Sequence, residues 1–191
     1  MPATIDLHCH STISDGMYSP EELVAYAHEQ GLKVMALTDH DDLGGLARAR
    51  VAAEQLGMQF INGVEISVTW KNRTLHIVGL KVNPEFAPLK DKLATVRQGR
   101  LERAAIMAKG LEDAGITGCL EGAKAIAGAG IVTRSHFARY LVEAGHVKDI
   151  KTVFKKYMVK GKPGFVNHVW MPLEEAITLI KDSGGTAVIA H

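Results

Sequence analysis

The sequence is poor in cysteine and in long apolar runs, and it has almost no excess of one charge. Its two cysteines, Cys9 and Cys119, are too few for a disulfide framework and favour a reducing cytoplasm. A stretch of about 18 apolar residues is lacking, as is a basic-then-apolar leader, so neither a transmembrane helix nor a secretory signal is expected. The net charge of +1 gives no argument for a membrane or nucleic-acid partner.

What the sequence does contain is an alternation of strand and helix patterns. Strands are predicted at "IDLHCH", "KVMALTDH", "QFINGVEISV" and "TLHIVGLKV", and the polar turn "WKNRT" joins the last two into a hairpin. Helices are predicted at "SPEELVAYAHEQG" and "LGGLARARVAAEQLG". The first of them has Ser19 as N-cap, Pro20 at its first position and Glu22 closing a capping box. This order is typical of the α/β class with a parallel layout.

The middle of the chain follows a different pattern. From Leu89 to Met158 the sequence is helical in pattern with glycine punctuation, which predicts an all-helical insertion or cap. The α/β alternation then resumes with a strand at "GFVNHV", a helix at "PLEEAITLIKDSGG" and a last strand at "TAVIAH". We therefore predict three segments: the first part of a barrel over 1–88, a helical insertion over 89–160, and the resumed barrel over 161–191.

Histidines and carboxylates coincide with the predicted strands. His8 and His10 flank Cys9, so the two imidazoles share one face of the first strand and the thiol takes the other. In a parallel barrel the carboxyl ends of all strands meet at one mouth, where active sites are built. The placement of several histidines and carboxylates at the ends of these strands predicts a metal site at this mouth. The metal-competent residues in or next to predicted strands are His8, His10, Asp15, Asp39, His40, Glu65, His76 and His191.

These motifs resemble the PHP family, which is named for polymerase and histidinol phosphatase domains. The matching elements are "HCH" with Asp15 behind it, "LTDHD", "GVEIS", "LHIVG" and the terminal "AH". The resemblance implies a distorted seven-stranded β/α barrel of PHP type with up to three divalent ions, manganese first and iron or zinc as alternatives. Within the family the chain is most similar to the branch that acts on 3′,5′-nucleoside bisphosphates and trims RNA 5′ ends. The segments "TRSHFARYL" and "VKGKPGFV" of the helical insertion support this branch.

The same resemblance implies a role for each metal-competent residue. A carboxylate can bridge two cations, and neutral imidazoles suit borderline transition metals. Asp39 is expected beside the ligands, where it orients an imidazole or structures the turn. Asp41 and Asp42 are expected to be solvated or to cap a helix, unless one of them reaches the site. The implied ligands are His8 and His10 for a first ion, Glu65 as a bridge to a second ion completed by His76 and His191, and Asp15 and His40 for a third.

The donor set and the resemblance together predict phosphate-ester hydrolysis. Bound cations lower the pKa of water from 15.7 to about 7 in favourable sites, which makes a metal-bound hydroxide available near neutral pH. No side chain is therefore assigned as the nucleophile, and Ser11 and Ser14 are interpreted as turn residues. The expected substrate partner is a nucleotide or short oligonucleotide, cleaved at the 3′-phosphate of a 3′,5′-nucleoside bisphosphate or at a short RNA 5′ end. No protein partner is predicted.

A bisphosphate or an RNA end carries a second anionic group that needs a binding site of its own. A predicted helix starts at "RSHF", where backbone N–H groups and the helix dipole favour anions and a guanidinium can add a bidentate contact. The glycine-bearing loop "KGKPG" adds further positive charge. The alternative is that a helix-start arginine and loop lysines are simply solvated. The predicted substrate contacts are Arg134, Ser135, Lys160, Lys162, Asn167 and His168.

Two other functions stay open at this point. One is a different hydrolase on the same metal scaffold, such as an amidohydrolase, whose barrels also use a His-x-His strand. Against it, Glu65 fills the place where a lysine carbamate would bridge two ions. The other is a non-catalytic regulatory PHP module, in which eroded ligands are expected, whereas every early ligand is present.

The chain also departs from the family pattern at its C-terminus. Family members continue well past "AH", with further strands and a late Asp-x-His pair that ligates the first and third ions. A buried parallel strand needs neighbours on both sides, so the chain is expected to be truncated and its metal site incomplete.

Overall fold

Strands and helices alternate along the chain in the computed structural model, which describes residues 4–191. Residue contacts divide it into two compact units, the first formed by the chain up to Arg97 with Val169–His191 and the second by Gln98–His168. The division of the sequence into the segments 1–88, 89–160 and 161–191 stays a prediction. In chain order, the elements are β1 (Ile5–Cys9), α1 (Pro20–Glu29), β2 (Val34–Leu37), α2 (Leu46–Gln55), β3 (Gln59–Trp70), β4 (Arg73–Leu80), α3 (Ala87–Asp113), α4 (Cys119–Ala127), α5 (Arg134–Glu143), α6 (Ile150–Val153), a π-helical turn (Phe154–Met158), β5 (Met171–Pro172), α7 (Leu173–Asp182) and β6 (Thr186–Ile189).

The strands of the described residues form one sheet in the first unit. Its order is β1-β2-β3-β4-β6, with β5 paired to β3. β1, β2 and β3 are parallel, whereas β4 runs antiparallel to both β3 and β6. Lys71 and Asn72 join β3 to β4 with φ angles of 46° and 62°, which are typical of a type I′ hairpin turn. The predicted hairpin and the α/β class are confirmed, the sheet being a curled half-barrel.

The start and end of α1 follow the signals read from its sequence. The Ser19 hydroxyl accepts a hydrogen bond from the Glu22 N–H, and the Glu22 carboxylate accepts one from the Ser19 N–H, so the capping box is complete. Pro20 occupies the first helical position, where its missing N–H costs nothing. Gly31, with φ of 86°, lets the chain leave the helix in a left-handed conformation.

Two apolar clusters support the sheet of the first unit. Burying one Leu, Ile, Val or Met side chain stabilises a fold by about 1.5–3 kcal/mol. The packed clusters therefore keep the strands in place and, with them, the residues at the strand ends. The cluster of α1, α2 and β2 includes Val24, Met35, Leu37, Ala49 and Ala53. The cluster of β3, β4, the first turns of α3 and α7 includes Val64, Ile66, Ile77, Leu89, Leu93 and Ile180.

The second unit consists of helices around a core of its own. Leu111, Phe137 and Leu141 are fully buried in it. The ring of Tyr140 lies directly on α4 at Gly122, where an added Cβ would come within 2.0 Å of the ring atom Cδ2. The prediction of helices from residue 89 to residue 158 is confirmed. None of the helices in residues 4–191 has both the length and the hydropathy needed to cross a bilayer.

The strand predicted at "GFVNHV" is wrong. Residues 164–169 have no regular secondary structure, and pairing with β3 begins only at Met171, opposite Val68. The alternating pattern has another cause, because Val166 packs against the helical core while its neighbours Phe165 and Asn167 are exposed. Alternation alone therefore did not distinguish a strand from an extended loop that buries one side chain.

Candidate metal centre

Glu65 lies at the centre of a ring of five imidazoles. Its side chain is only 1% exposed, and both of its carboxylate oxygens face histidine nitrogens. Residues near both ends of the sequence are thus brought to one carboxylate. Oε2 lies 3.0 Å from His8 Nε2, 2.9 Å from His10 Nε2 and 3.4 Å from His40 Nδ1, and Oε1 lies 2.8 Å from His76 Nδ1 and 3.5 Å from His191 Nε2.

The parallel strands supply the first three histidines. His8 is in β1 and His10 follows its last residue, while His40 comes shortly after β2. The rings of His10 and His40 are 4.7 Å apart between centroids. Cys9 points away, as predicted, and packs against the cluster of α1 and α2. Burial raises the pKa of the Cys9 thiol to about 12, so the free thiol is protonated near neutral pH.

The antiparallel strands supply the other two histidines. His76 on β4 lies opposite Ser67 on β3, and Ser67 shares a face with Glu65 because the two are two residues apart. The imidazole therefore reaches Glu65 diagonally across the strand pair. His191 follows β6, and its carbonyl accepts a hydrogen bond of 3.0 Å from the His76 N–H. The His191 side chain is 70% exposed, the most open of the five.

The candidate ligands form three overlapping groups. Within each group one ligand atom per residue lies within 4.8 Å of the others. Carboxylate oxygens mixed with imidazole nitrogens suit manganese, iron and zinc, so the donor set fits the predicted ions. His10, His40 and Glu65 each belong to two groups. The sequence-based roles anticipated this for Glu65, as a bridge between two ions, but not for His10 or His40. The groups are His8, His10 and Glu65; His10, Asp15 and His40; and His40, Glu65 and His76.

The imidazoles hold Glu65 in its ionised form. Burial by itself raises the pKa of the Glu65 carboxyl, but hydrogen bonds from His10 and His76 and the charge of His40 outweigh burial. The pKa of Glu65 therefore lies well below its usual range. For His10, burial lowers the pKa, and the hydrogen bond to Glu65 with the charge of Asp15 outweighs it and raises the pKa. The contacts with the imidazoles therefore favour the ionised form of the Glu65 carboxylate.

Asp39 is buried behind the ligands and holds the loop that follows His10. Its Oδ1 accepts hydrogen bonds from the Ser11 N–H at 2.8 Å and the Ser14 hydroxyl at 2.6 Å, and its Oδ2 accepts one from the Ser11 hydroxyl at 2.7 Å. Burial raises the pKa of Asp39, and the hydrogen bonds from Ser14 and Ser11 offset part of that rise. The loop also carries Asp15, whose Oδ2 lies 3.9 Å from His40 Nε2.

The expectation for Asp41 as a solvated or capping residue is wrong. Asp41 is fully buried and adopts a left-handed φ of 50°. Its Oδ1 accepts a hydrogen bond of 2.8 Å from the Ser67 N–H, and its own N–H donates to the Glu65 carbonyl at 2.9 Å. Asp41 thus ties the turn after His40 to β3. Asp42 does not cap a helix either: its Oδ1 accepts a hydrogen bond of 2.7 Å from the Gly44 N–H, in the turn before α2, whose N-cap Gly45 has no side-chain cap.

Positive charge is concentrated in the second unit at three arginines. Arg100 on α3 is buried, and burial first, then the charges of Arg134 and Arg100, lowers the pKa of Arg103 to about 10. Burial, then Arg103 and Arg100, lowers the pKa of His168. A guanidinium whose pKa is lowered by neighbouring guanidiniums is typical of a site for an anion. Arg100 and Arg103 were missed as site residues, although their spacing of three places them on one face of α3.

The other predicted substrate contacts differ in their surroundings. Arg134 and Ser135 open α5, where Thr133 is the N-cap and its hydroxyl accepts from the Ser135 N–H. The guanidinium of Arg134 lies 5.9 Å from the centroid of the Phe154 ring. Lys160 and Lys162 are exposed in a turn, and Asn167 is also exposed. Of these residues, His168 interacts with the arginine cluster, because, besides burial, the charges of Arg103 and Arg100 lower its pKa. The structure gives no such interaction for Lys160 or Lys162.

Known proteins of similar sequence share most of this chain. The model of the PHP domain family matches residues 6–159. The 3′,5′-nucleoside bisphosphate phosphatase of Chromobacterium violaceum is 50% identical over 190 residues, which cover 99% of this chain and 67% of that protein. The 5′-3′ exoribonuclease Rnm of Escherichia coli is 45% identical over 188 residues, covering 97% and 64%. The chain thus spans about two thirds of the length of these relatives.

Two solved structures have the same fold. One is an amidohydrolase from Chromobacterium violaceum with bound sulfate and no metal, with a TM-score of 0.96 and 50% identity over 99% of this chain and 67% of that one. The other is a proposed metal-dependent phosphoesterase from Bifidobacterium adolescentis, with a TM-score of 0.91 and 28% identity over 98% of this chain and 66% of that one. Both support the arrangement of strands that gathers the histidines.

Proposed function

The chain belongs to the PHP domain family, and on that premise we propose that the protein is a metal-dependent phosphoesterase acting on nucleotides. The observation that carries the proposal is the set of three overlapping ligand groups, two of which include Glu65. Relatives named for a bisphosphate phosphatase and for an exoribonuclease support a phosphate ester as the bond that is cleaved. We propose the 3′-phosphate of a 3′,5′-nucleoside bisphosphate as the first substrate and short RNA 5′ ends as the second.

The metal complement belongs to the proposal. We propose up to three divalent ions, manganese first and iron or zinc as alternatives, because the donors mix imidazole nitrogen with carboxylate oxygen. When bound, such ions lower the pKa of water and offset the charge of phosphate oxygens. The ligands would be His8, His10 and Glu65 for the first ion, Glu65, His76 and His191 for the second, and Asp15 and His40 for the third.

The chain's own residues prepare this centre. Glu65 is buried and its pKa lies below its usual range, so its carboxylate stays ionised and can bridge two cations. Ser11 and Ser14 are also buried, and both hydroxyls donate to Asp39. Neither serine is therefore placed to attack a phosphorus atom. The proposed reaction therefore needs no covalent intermediate on Ser11 or Ser14.

We further propose that the arginine cluster of the second unit binds phosphate groups of the substrate. Arg100, Arg103 and Arg134 bring three guanidiniums into electrostatic contact, and such groups bind phosphate in a bidentate manner. Their mutual repulsion falls when an anion is bound, so binding is favoured. Ser135, Lys160, Lys162, Asn167 and His168 remain proposed contacts of the same substrate.

The proposal concerns the whole protein. The chain spans about two thirds of its relatives' length, so activity should be measured on the longest product of its gene as well as on this chain. The small number of cysteines favours a cytoplasmic location, which we propose with the function.

A second candidate function is amide hydrolysis on the same centre. Its support is the Chromobacterium violaceum structure described as an amidohydrolase. In this chain the bridging place is occupied by the carboxylate of Glu65, which favours the phosphoesterase. A regulatory module without activity is the third candidate, and the presence of all five histidines around Glu65 argues against it.

The experiment that tests the proposal combines metal content with turnover. Metal would be measured by plasma mass spectrometry on the purified protein, and inorganic phosphate release would be followed with 3′-phosphoadenosine 5′-phosphate. We expect bound metal and phosphate release in the wild type, and loss of both in His10→Ala. The control is His28→Ala, which removes an exposed histidine of α1 and should change neither quantity.

Two outcomes would contradict the proposal. Unchanged phosphate release in His10→Ala would remove the metal assignment. Bound metal without release from any phosphate ester, together with cleavage of an amide substrate, would favour the second candidate function.

A further inference from the structure

The second unit has an excess of positive charge, and the first unit has an excess of negative charge. Residues 98–168 contain twelve lysines and arginines and six aspartates and glutamates, whereas the rest of the chain contains ten and fifteen. The net charge of +1 therefore conceals an excess of six positive charges in the helical unit. An excess of this kind attracts anions from beyond contact distance.

Half of the basic residues of this unit are exposed lysines in one short stretch, which we call the lysine surface. They lie in or next to α6, the π-helical turn and the turn that follows it, and they are Lys148, Lys151, Lys155, Lys156, Lys160 and Lys162. Asp149 is the only acidic residue between positions 144 and 168, and its carboxylate already accepts hydrogen bonds from the N–H and the hydroxyl of Thr152. Asp149 thus offsets at most one of the six charges.

The lysines of this surface differ from other lysines of the same unit in lacking a partner carboxylate. Within residues 4–191, none of the six lies within ion-pair distance of an aspartate or glutamate. By contrast, Lys109 and Lys124 pair with Asp113 and Glu121 at 3.1 Å and 2.9 Å. The positive charge of the lysine surface is therefore directed to solvent, where an anion can reach it.

The helical part of the surface separates lysines from buried side chains. Val153 and Met158 are buried in the core of the unit, and they are five residues apart, the spacing that a π-helical turn brings to one side. Lys151 and Lys156 have the same spacing and are exposed. Lys155 lies four residues after Lys151, and like charges at this spacing destabilise a helix. An anion bound here would relieve that repulsion.

Backbone hydrogen bonds hold the following turn beside the π-helical turn. The Gly164 N–H donates to the Tyr157 carbonyl at 2.8 Å, and the Lys162 N–H donates to the Val159 carbonyl at 3.0 Å. Gly164 is also buried, which anchors the end of the turn. The two lysines of the turn are therefore kept next to those of the helix, and the surface is preorganised.

The lysine surface also includes aromatic rings but little exposed apolar area. The ring centroid of Tyr157 lies 4.9 Å from Lys156 Nζ, and Phe165 at the end of the turn is 36% exposed. Lysines mixed with aromatic rings are typical of proteins that bind single-stranded RNA, because phosphates meet the charges and bases stack on the rings. A helix that binds a lipid bilayer needs an apolar face directed outward, whereas Val153 and Met158 are buried.

We propose that the lysine surface binds the phosphate backbone of single-stranded RNA. The inference deepens the proposed function, on which it rests for the choice of RNA among polyanions. A lysine ammonium is a point charge without a fixed hydrogen-bond geometry, so these contacts do not depend on the base sequence. Because each further nucleotide adds a phosphate, an RNA of several nucleotides binds more tightly than a mononucleotide.

The first measurement is the affinity of the whole protein for 5′-phosphorylated oligouridylates, by fluorescence anisotropy in chelator, where no ion supports cleavage. We expect the affinity of the wild type to rise from the mononucleotide, measured by competition, to an oligomer of about 12 nucleotides. The affinity should also fall steeply as the salt concentration increases. Both results come from the wild type alone. An affinity that is independent of length or of salt would overturn the proposal.

The second measurement compares two triple variants that lose the same charge. The test variant combines Lys151→Gln, Lys155→Gln and Lys156→Gln. The control replaces three exposed lysines elsewhere and combines Lys33→Gln, Lys109→Gln and Lys124→Gln. Each phosphate contact with a single strand adds about 0.7 to the salt slope. We therefore expect the test variant to lose about 2 in slope and about 10- to 100-fold in affinity at about 0.1 M salt.

The control variant shows whether the position of the lysines matters or only the net charge. Its affinity for the oligouridylate should change by less than about threefold, because its lysines act only through screened long-range attraction. Thermal unfolding in chelator should be the same for both variants. Equal losses of affinity in the two variants would overturn the proposal.

Three further outcomes separate this inference from its alternatives. Wild-type protein that sediments with phosphatidylglycerol vesicles but does not bind the oligouridylate would overturn the proposal in favour of a membrane surface. Phosphate release from 3′-phosphoadenosine 5′-phosphate without lysine-dependent RNA binding would overturn the inference and leave the proposed function intact. Lysine-dependent RNA binding without phosphate release from any ester would support the inference and contradict the proposed function.

Discussion

His40 pairs with Glu65 in an isolated parallel β-bridge beyond the end of β2. The Glu65 N–H donates to the Asp39 carbonyl at 3.1 Å, and the Asp41 N–H donates to the Glu65 carbonyl at 2.9 Å. This pairing holds His40 Nδ1 at 3.4 Å from Glu65 Oε2. Main-chain hydrogen bonds, rather than loop flexibility, therefore determine the distance between two candidate ligands, and the centre is preorganised.

The carboxylate of Glu65 should be the least replaceable group of the centre. Glu65→Gln preserves the shape but removes the charge that faces five imidazoles, so ions would no longer be bridged. We expect Mn²⁺ affinity to fall by more than about 100-fold, because outer-sphere changes alone cost 10–100-fold, and phosphate release to be lost. Glu54→Gln, on the exposed side of α2, is the control. Full metal binding in Glu65→Gln would show that ions are held elsewhere.

Arg134 should contribute to substrate binding rather than to the chemical step. A hydrogen bond to a charged group is worth about 1.5–3 kcal/mol, so Arg134→Gln should raise KM for a nucleoside bisphosphate roughly 10- to 100-fold with little change in kcat. Arg139→Gln, on the same helix α5, should leave both constants unchanged. A fall in kcat at constant KM would contradict the binding role.

The pKa of His168 should report on the arginine cluster. Burial, Arg103 and Arg100 lower it, so the unfolded chain binds more protons than the folded one between the lowered value and the ordinary value of about 6.5. His168 therefore makes stability rise with pH across that interval and has no effect above it.

Titration of His168 by NMR checks this linkage. Arg103→Gln should move the pKa of His168 upward, and so should added inorganic phosphate, because each reduces the positive charge that it meets. Lys109→Gln, an exposed residue of α3 that pairs with Asp113, should have no effect. A His168 pKa at or above the ordinary value in the wild type would show that the cluster is not formed.

Replacing Gly122 by alanine should lower the stability of the protein, whereas replacing a glycine in an exposed helix usually raises it. In an exposed helix, Gly→Ala stabilises by about 1 kcal/mol. At Gly122 the new methyl would lie 2.0 Å from the Tyr140 ring, so Gly122→Ala should destabilise by about 1–3 kcal/mol through overpacking. Urea unfolding measures the change. Combining it with Tyr140→Ala should remove the penalty, and a stabilised single variant would contradict the packing of α4 on α5.

Several features were predictable because they depend on short stretches of sequence. The capping box of α1 depends only on Ser19, Pro20 and Glu22, and the structure contains it. The proximity of His8 and His10 follows from their spacing, and that of Glu65 and His76 from a hairpin with a short turn. The prediction that the carboxyl ends of parallel strands converge then brings His40 to the same place.

Other features depend on contacts that no local pattern encodes. Asp41 is buried because its carboxylate meets a backbone N–H of β3, a partner 26 residues away. Val166 alternates like a strand residue but packs on helices. From the sequence, Arg100 and Arg103 are expected to be solvated residues of a helix. Only the structure shows that Arg100 is buried and that the charge of Arg134 acts on Arg103. In each case tertiary packing overrode the local signal.

The central claim is that the imidazoles and carboxylates around Glu65 bind the ions that hydrolyse a nucleotide phosphate. Anomalous X-ray diffraction from crystals of the whole protein loaded with Mn²⁺ tests it most directly. The account predicts manganese peaks within roughly 2.0–2.3 Å of ligand nitrogens and oxygens, including His8 and His10, with Glu65 between two of them. Manganese peaks confined to other parts of the molecule, with none beside Glu65, would contradict it.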